Sequence, residues 1–245
     1  MSGGARRSAA TVAVAAAVAC LSGNALAQSC PAPLADALRL VLVTAPTMKD
    51  TIATMRVYER TSPGDVWRLR GAVEPAVIGK AGMAWSPFFK QFVRKKEPIK
   101  VEGDKRAPAG LYTIGRSFGT VASSSPRHLQ VTPDTVCVDD IRSPAYNTIT
   151  SRASLGSKVH AENMSEALPM YRRGLLVNYP TDAKRKAGSC IFIHVWRTSN
   201  TGTAGCVAIP EARVERLQEF AEAGAVLAIL PRQALGRLTG CIPQY

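Results

Sequence analysis

The 245-residue sequence is poor in aromatic residues, which make up 6% of it, and it has no long apolar run beyond its N-terminal segment. A membrane-spanning helix needs about 20 consecutive apolar residues, so no interior transmembrane helix is expected. The sequence also lacks a C-x-x-C pair, so neither a thioredoxin-like redox motif nor a cysteine zinc site is supported. Acidic residues are scarce: 18 Asp and Glu stand against 31 Lys and Arg. What remains is a basic chain whose 46% hydrophobic content is sufficient for a buried core.

The positive charge limits the choice of partners. A formal net charge of +13 favours anionic polymers or a membrane surface. The basic residues are dispersed, however, and no zinc-finger or RNA-recognition signature lies beside the densest run, Arg94–Lys96, so nucleic acid is not an expected partner. The alternative interpretation is a generally solvated cationic surface.

The first 27 residues have the parts of a secretory signal peptide. Arg6 and Arg7 precede an apolar stretch over residues 9–21, and Ala25-Leu26-Ala27 forms a small-residue cleavage site. The sequence therefore predicts a signal peptide over residues 1–27, an N-terminal lead over 28–37, and export to the periplasm or cell envelope. An uncleaved anchor and lipidation at Cys20 are the alternatives. No transmembrane helix is expected after signal removal.

Five cysteines follow the predicted cleavage site, and in an exported protein thiols tend to be paired. Cys30 and Cys241 lie near the two ends of the mature chain, which commonly meet at a domain surface. Cys137 and Cys190 both lie in strand-like runs. We therefore expect the pairs Cys30–Cys241 and Cys137–Cys190, with Cys206 left free, although four cysteines alone allow three pairings.

Short β-favouring runs joined by turn residues dominate the remaining sequence. They cover residues 51–60, 66–70, 77–80, 111–114, 136–138, 175–179, 190–196 and 225–230. One helix is predicted from Pro210 to Gly224, because apolar residues recur there at helical spacing, and a second is predicted over Glu162–Leu168. The fold class is therefore mainly β, a single domain with a sandwich or barrel-like core of mixed sheets and one or two short helices.

His194 and Cys206 are the main candidates for catalytic residues in the sequence. His194 lies near the end of an apolar strand, and Cys206 follows Gly205 after a loop of small and polar residues that is long enough to fold back. A nearby histidine can activate a thiol as a nucleophile, and backbone amides around Gly205 and Cys206 can stabilise an oxyanion. From the spacing alone, a structural core histidine is the commoner alternative for a histidine in a strand. No carboxylate stands at metal-ligand spacing from His128 or His160, so no metal site is expected.

Three segments together resemble the L,D-transpeptidase (YkuD-type) family. Thr203-Ala204-Gly205-Cys206, with His194 upstream, is similar to the active-site signature of its T-A-G-C branch. Residues 102–110 resemble the family's GDxxTPxG turn, and residues 138–147 resemble its V-D-D-x-x-S-x-x-Y-N segment. The resemblance covers roughly residues 38–230. It implies a YkuD-like β-sandwich, a catalytic domain over residues 38–235 and a C-terminal tail over 236–245.

The resemblance also implies roles for individual residues. Cys206 would be the nucleophile and His194 the general acid and base, with the backbone carbonyl of Val195 orienting the imidazole and the amide of Gly205 contributing to an oxyanion hole. No cofactor is implied.

Two departures from the family pattern concern the neighbours of Cys206. Ala204 stands where a second histidine is usual, and the arginine that many members carry just after the cysteine is absent. The carboxylate of the substrate then needs another cation. The candidates for substrate binding are Thr203 and three arginines, for which a solvated surface position is the alternative: Arg172, Arg173 and Arg197.

The function implied by the resemblance is that of an exported cysteine acyltransferase acting on peptidoglycan stem peptides. Cys206 would form a thioester with one stem, and an amine from a second stem would complete a cross-link. Attack by water would make the protein an L,D-carboxypeptidase instead. A non-catalytic wall-binding protein with the same fold and a cysteine protease for ordinary proteins are further alternatives.

Overall fold

The computed structural model describes Met1 and residues 30–245, so the predicted signal peptide and its cleavage site lie outside the described residues. Strands dominate the described part of the chain: β1 (Arg39–Ala45), β2 (Ile52–Glu59), β3 (Arg68–Leu69), β4 (Glu74–Val77), β5 (Met83–Trp85), β6 (Ala107–Gly119), β7 (Leu129–Gln130), β8 (Thr135–Cys137), β9 (Ile149–Ser151), β10 (Glu162–Asn163), β11 (Gly174–Val177), β12 (Phe192–Val195), β13 (Val207–Ile209) and β14 (Val226–Pro231). The helices are α1 (Glu211–Glu222) and four short 3-10 helices: Pro87–Phe92, Arg152–Ser154, Met170–Arg172 and Arg232–Leu238.

Eleven strands form one large mixed sheet. Nine of them follow the order β1-β14-β6-β11-β12-β13-β4-β2-β3, and β5 and β7 pair with β6. β1 also pairs with β2, so the sheet closes on itself in a barrel-like arrangement. The pairs β1–β14 and β12–β13 are parallel, whereas most others are antiparallel. The mainly β, single-domain fold predicted from the sequence is confirmed.

The main core lies inside this sheet. β1 (RLVLVTA) and β14 (VLAILP) are buried almost throughout, as near-continuous apolar runs require. β1 is missing from the predicted strands, although it forms six parallel residue pairs with β14. Its apolar run lacks the alternation by which half-buried strands are recognised.

The helix α1 covers one side of the sheet. Glu211 stands in its first turn, and its buried face consists of Val214, Leu217 and Ala221, which recur at helical spacing. Burying each of the two larger side chains contributes about 1.5–3 kcal/mol. Gly224, with a φ of +91°, follows the helix at the point where a left-handed backbone is required. The predicted helix is confirmed.

A second, small sheet carries part of the segment between β7 and β11. Its strands follow the order β10-β8-β9 and are antiparallel. A separate apolar cluster joins this sheet to the main one, and we call it the second core: Phe118, Val131, Cys137, Met164, Tyr171, Cys190, Phe192 and Cys206. Cys206 is therefore packed between the two sheets.

Several sequence-based boundaries were wrong. Residues 162–168 do not form a helix, because Glu162 and Asn163 pair with Cys137 and Val136 of β8. The Asn163 side chain then accepts the amide hydrogen of Ser165 in a turn. The other differences concern strand ends: the runs 66–70 and 190–196 shorten to Arg68–Leu69 and Phe192–Val195, and the run 77–80 moves three residues toward the N-terminus to Glu74–Val77.

The predicted disulfide pairing is confirmed. Cys30 is bonded to Cys241 and Cys137 to Cys190, while Cys206 is a free, buried thiol. The first bond joins the two ends of the described chain, and the second ties the small sheet to the residues that lead into β12.

Within residues 30–245, no helix has the length and apolar character that crossing a bilayer requires.

Candidate functional site

Two adjacent parallel strands, β12 and β13, position His194 and Cys206. His194 of β12 lies opposite Ala208 of β13, and Ile193 lies opposite Val207. Cys206 lies in the bend immediately before β13, and its sulfur contacts the backbone amide of Phe192, two residues before His194 in β12. The predicted strand–loop–strand arrangement therefore brings the two groups to one region of the molecule.

The Cys206 thiol lies in a nearly closed environment, with 7% of the residue exposed. Its sulfur accepts a hydrogen bond from the Phe192 amide at 3.4 Å, and the thiol donates to the Cys190 carbonyl at 3.3 Å. Burial raises the pKa of the thiol to about 12, against the opposing effect of the Phe192 amide. Cys206 is thus a protonated thiol at neutral pH.

His194 is buried as well, with 3% exposed, and its ring orientation is fixed. Nδ1 lies 2.8 Å from the Val195 carbonyl oxygen. A carbonyl can only accept, so Nδ1 carries the hydrogen and Nε2 has the free lone pair. Burial lowers the pKa of His194 to about 4, and the positive charge of Arg197 lowers it further, although the Val195 carbonyl raises it. The imidazole is therefore neutral and able to take a proton at Nε2.

The two protonation states define what the pair can do chemically. A neutral thiol and a neutral imidazole are not a resting thiolate–imidazolium pair. The proton instead has to leave the sulfur as the sulfur attacks an electrophile, with the imidazole as general base. The pair is suited to acyl transfer, in which the attack on the substrate carbonyl drives the loss of the thiol proton.

The turn before Cys206 is stabilised by Thr203. Its hydroxyl accepts a hydrogen bond from the Gly205 amide at 3.1 Å and donates to the Cys206 carbonyl at 2.7 Å. A Cβ added at Gly205 would lie 3.1 Å from the Arg106 carbonyl oxygen, so the close approach favours glycine. The structure thus places Thr203, predicted as a substrate contact, within the turn, and the Gly205 amide, predicted for an oxyanion hole, already has an acceptor.

The three candidate arginines have different surroundings. Arg172 Nε lies 3.1 Å from the Glu211 carboxylate, and Arg173 lies 2.8 Å from the Glu215 carboxylate, so acidic residues of α1 pair with both. Arg197 is exposed, forms no ion pair with the described residues, and lies close enough to His194 to affect its pKa. Arg197 is therefore the arginine of this set that is available for an anion near the site.

The other two motif segments, residues 102–110 and 138–147, form hydrogen bonds near the candidate site. Asn147, which has a φ of +61°, accepts a hydrogen bond from the Cys190 amide at 3.0 Å and donates to the Tyr179 carbonyl at 3.0 Å. Asp104 accepts from the buried ammonium of Lys100 at 2.6 Å. The Asn147 contact fixes the backbone of Cys190, whose carbonyl accepts the hydrogen bond from the Cys206 thiol.

Sequence reasoning missed two residues of the site, Tyr171 and Glu162. The ring of Tyr171 packs edge-to-face against His194, with centroids 5.5 Å apart. The Tyr171 hydroxyl donates to the Glu162 carboxylate, whose two oxygens lie 3.1 and 3.0 Å away. No local pattern indicates this pair, because the packing of the small sheet on the large one creates it.

A cluster of three or more potential metal ligands is not found among the residues that the structure describes. His160 lies at the surface, where its Nδ1 is 2.5 Å from Asp139. His128 lies 2.9 Å from the Ser117 hydroxyl through its Nδ1, in a loop beyond β6.

A family model and two solved structures are similar to this chain. The model of the L,D-transpeptidase catalytic domain, YkuD, matches residues 51–229. Among solved structures, the helical cell shape determining protein Pgp2 from Campylobacter jejuni is 16% identical, with a TM-score of 0.42 over 80% of this chain and 48% of that one. Bd1075 from Bdellovibrio bacteriovorus is 17% identical, with a TM-score of 0.41 over 80% and 49%. This chain spans about half the length of both. Curated proteins gave no match.

Proposed function

We propose a function for this chain from the premise that it belongs to the L,D-transpeptidase (YkuD) catalytic domain family. The function is that of an exported cysteine acyltransferase acting on peptidoglycan stem peptides, with its catalytic unit over residues 38–235. The observation that carries the proposal is the free Cys206 thiol, which is hydrogen-bonded to β12, the strand that also holds a neutral His194 with its ring fixed by the Val195 carbonyl. Two disulfides support export, since such bonds persist in oxidising compartments.

The first half of the reaction transfers a donor stem to the enzyme. His194 takes the thiol proton at Nε2 while the Cys206 sulfur attacks a peptide carbonyl of the donor. The carbon–nitrogen bond then breaks, and His194 gives the proton to the departing amine of the terminal D-amino acid. The product is a thioester on Cys206, and in this proposal Arg197 binds the carboxylate of the donor.

The second half resolves the thioester. An amine from the side chain of a diamino acid on a second stem attacks the carbonyl, the carbon–sulfur bond breaks, and the sulfur regains a proton. The product is a cross-link between stems. Water in place of the amine gives the L,D-carboxypeptidase outcome through the same intermediate.

A non-catalytic wall-binding protein with the same fold is the second candidate. The observation in its favour is the closed position of the thiol, which has 7% exposure, together with the formal charge of +13. Such a protein would bind the wall through its cationic surface.

Turnover of purified muropeptides by the wild type and by Cys206→Ser tests the proposal. We expect the wild type to release the terminal D-amino acid and the variant to lose this activity by a factor on the order of 10³ or more, because the hydroxyl is a much weaker nucleophile. An equal melting temperature of the two proteins serves as the folding control. Full activity without the thiol contradicts the enzyme proposal, and wall binding by a wild type without turnover supports the second candidate.

A further inference from the structure

The carboxylate of Glu162 lies beside the candidate site, and the first half of the proposed reaction does not use it. Glu162 is half-buried in β10, and its only hydrogen-bond donor among the described side chains is the Tyr171 hydroxyl. It forms no ion pair with a lysine or arginine of the described residues. A carboxylate offers about four acceptor positions, so most of its capacity is unused.

Tyr171 links this carboxylate to the strand that carries His194. The Tyr171 ring contacts His194 and Phe192 edge-to-face, with centroid distances of 5.5 and 5.6 Å. The Phe192 amide in turn donates to the Cys206 sulfur. The negative charge of Glu162 contributes to the raised pKa of the thiol, after the larger effect of burial, so the two groups interact electrostatically.

We propose that Glu162, held by Tyr171, binds the ammonium group of the acceptor stem and thereby directs the thioester toward an amine rather than water. This inference rests on the proposed function. A half-buried carboxylate attracts a cation and not a neutral water molecule, so it raises the local concentration of the amine. The Tyr171 hydroxyl fixes the orientation of the Glu162 carboxylate, so the carboxylate is already oriented when the acceptor binds.

The proton balance of the second half follows from this placement. The ammonium gives one proton to Glu162 and becomes a neutral amine, whose nitrogen attacks the thioester carbonyl. The amine gives a second proton to Nε2 of His194, and His194 passes it to the sulfur as the carbon–sulfur bond breaks. The amide nitrogen keeps the third hydrogen, and Glu162 later releases its proton to solvent.

The surroundings of Glu162 are compatible with taking a proton. Burial raises its pKa, the nearby negative charge of Asp139 raises it further, and the Tyr171 hydrogen bond opposes both. The other titratable group that interacts electrostatically with Glu162 is Cys206, whose thiol is protonated and uncharged at neutral pH.

The ratio of cross-linked to hydrolysed donor tests the inference. Wild type and Glu162→Gln are supplied with a tetrapeptide stem as donor and a tripeptide stem ending in a diamino acid as acceptor. We expect the ratio to fall at least about tenfold in the variant, which corresponds to about 1.4 kcal/mol, and the half-saturating acceptor concentration to rise. Glu166→Gln is the matched control, because Glu166 is exposed and its one hydrogen bond to a described side chain comes from Asn163; its ratio should equal that of the wild type.

A second readout separates this role from a merely structural one. Removing the negative charge should shift the pH profile of Cys206 alkylation to lower pH in Glu162→Gln, because that charge raises the pKa of the thiol. If Glu162→Gln fails to fold, Tyr171→Phe replaces it: the carboxylate loses its anchor, and a lower ratio is again expected.

The outcomes distinguish a failure of the proposed role of Glu162 from a failure of the proposed function. A wild type that forms cross-links, with an unchanged ratio in the folded variant, overturns the role of Glu162 and leaves the proposed function standing. A wild type that neither cross-links nor hydrolyses the donor contradicts the proposed function itself.

Discussion

At the scale of single residues, burial determines the protonation of both reacting groups. It raises the pKa of Cys206 and lowers that of His194, so each group is neutral where an exposed counterpart would be partly charged. The imidazole of His194 is thus neutral and able to accept a proton. When solvent protonates this buried ring at low pH, the free energy of unfolding falls.

This cost leads to a prediction for the acid stability of the protein. The pKa of His194 falls from 6.5 in the unfolded chain to about 4 in the folded one, so the stabilisation is complete above pH 6.5 and is lost as the pH falls through 4. Between pH 7 and pH 4 the wild type should lose about 3 kcal/mol more free energy of unfolding than His194→Asn, whose amide can still donate to Val195. Urea unfolding at both pH values measures the difference. Parallel curves for the two proteins would show that His194 is not buried in the neutral form.

Residue patterns indicate the proposed nucleophile and base of the site but not their neighbours. The Gly205-Cys206 sequence and the strand around His194 are local signals, and the observed disulfide pairing is the one of three possible pairings that the cysteine positions favoured. Tyr171 and Glu162 have no such signal, because their contact with the site depends on how one sheet packs on another.

At the scale of elements, the Cys137–Cys190 disulfide connects the small sheet to the residues before β12. Cys190 has a φ of +54°, its amide donates to Asn147, and its carbonyl accepts from the Cys206 thiol. The bond therefore stabilises the same residue that holds the thiol in place.

We predict two effects of removing this bond in Cys137→Ser/Cys190→Ser. The cysteines are 53 residues apart, and a loop of that length corresponds to about 4 kcal/mol of unfolding free energy in the chain-entropy description. Cys206 should also react several-fold faster with iodoacetamide at pH 8, because the residues that bury its thiol are held less firmly without the bond. Denaturant titration and alkylation rates measure both effects. An unchanged rate in a destabilised variant would contradict the proposed coupling between bond and thiol.

Elements differ in how well the sequence predicts them. The helix α1 has all its signals within its own length, from Glu211 to Gly224, and its prediction is confirmed. The helix predicted over residues 162–168 fails because strand pairing with β8 overrides local preference. Cys190 leaves the predicted strand for a similar reason, since its backbone is held by a distant asparagine.

At the scale of the whole molecule, the closed sheet brings the two ends of the described chain together. β1 pairs with both β14 and β2, and Cys30 is bonded to Cys241 across 211 residues. The Trp67 indole donates to the Cys241 carbonyl, which joins the β3 region to the same end.

Cys30→Ser/Cys241→Ser should therefore separate global stability from the chemistry of the site. A loop of this length corresponds to about 5 kcal/mol of unfolding free energy, so a clear drop in melting temperature is expected. The alkylation rate of Cys206 at 25 °C should remain that of the wild type, since the bond lies in the main core and Cys206 in the second core. A rate that rises as much as in the Cys137→Ser/Cys190→Ser protein would argue against two separate cores.

The central claim concerns a covalent bond between the Cys206 sulfur and a donor stem. Intact-protein mass spectrometry detects this bond most directly, after brief incubation with a tetrapeptide stem whose diamino-acid side chain is acetylated, so that no amine acceptor is present, and quenching in acid. We predict a mass increase equal to the stem without its terminal D-amino acid, located on the peptide that contains Cys206 and absent from Cys206→Ala. Release of the D-amino acid by the wild type with no adduct at any time point, or with an adduct on another residue, would contradict the claim.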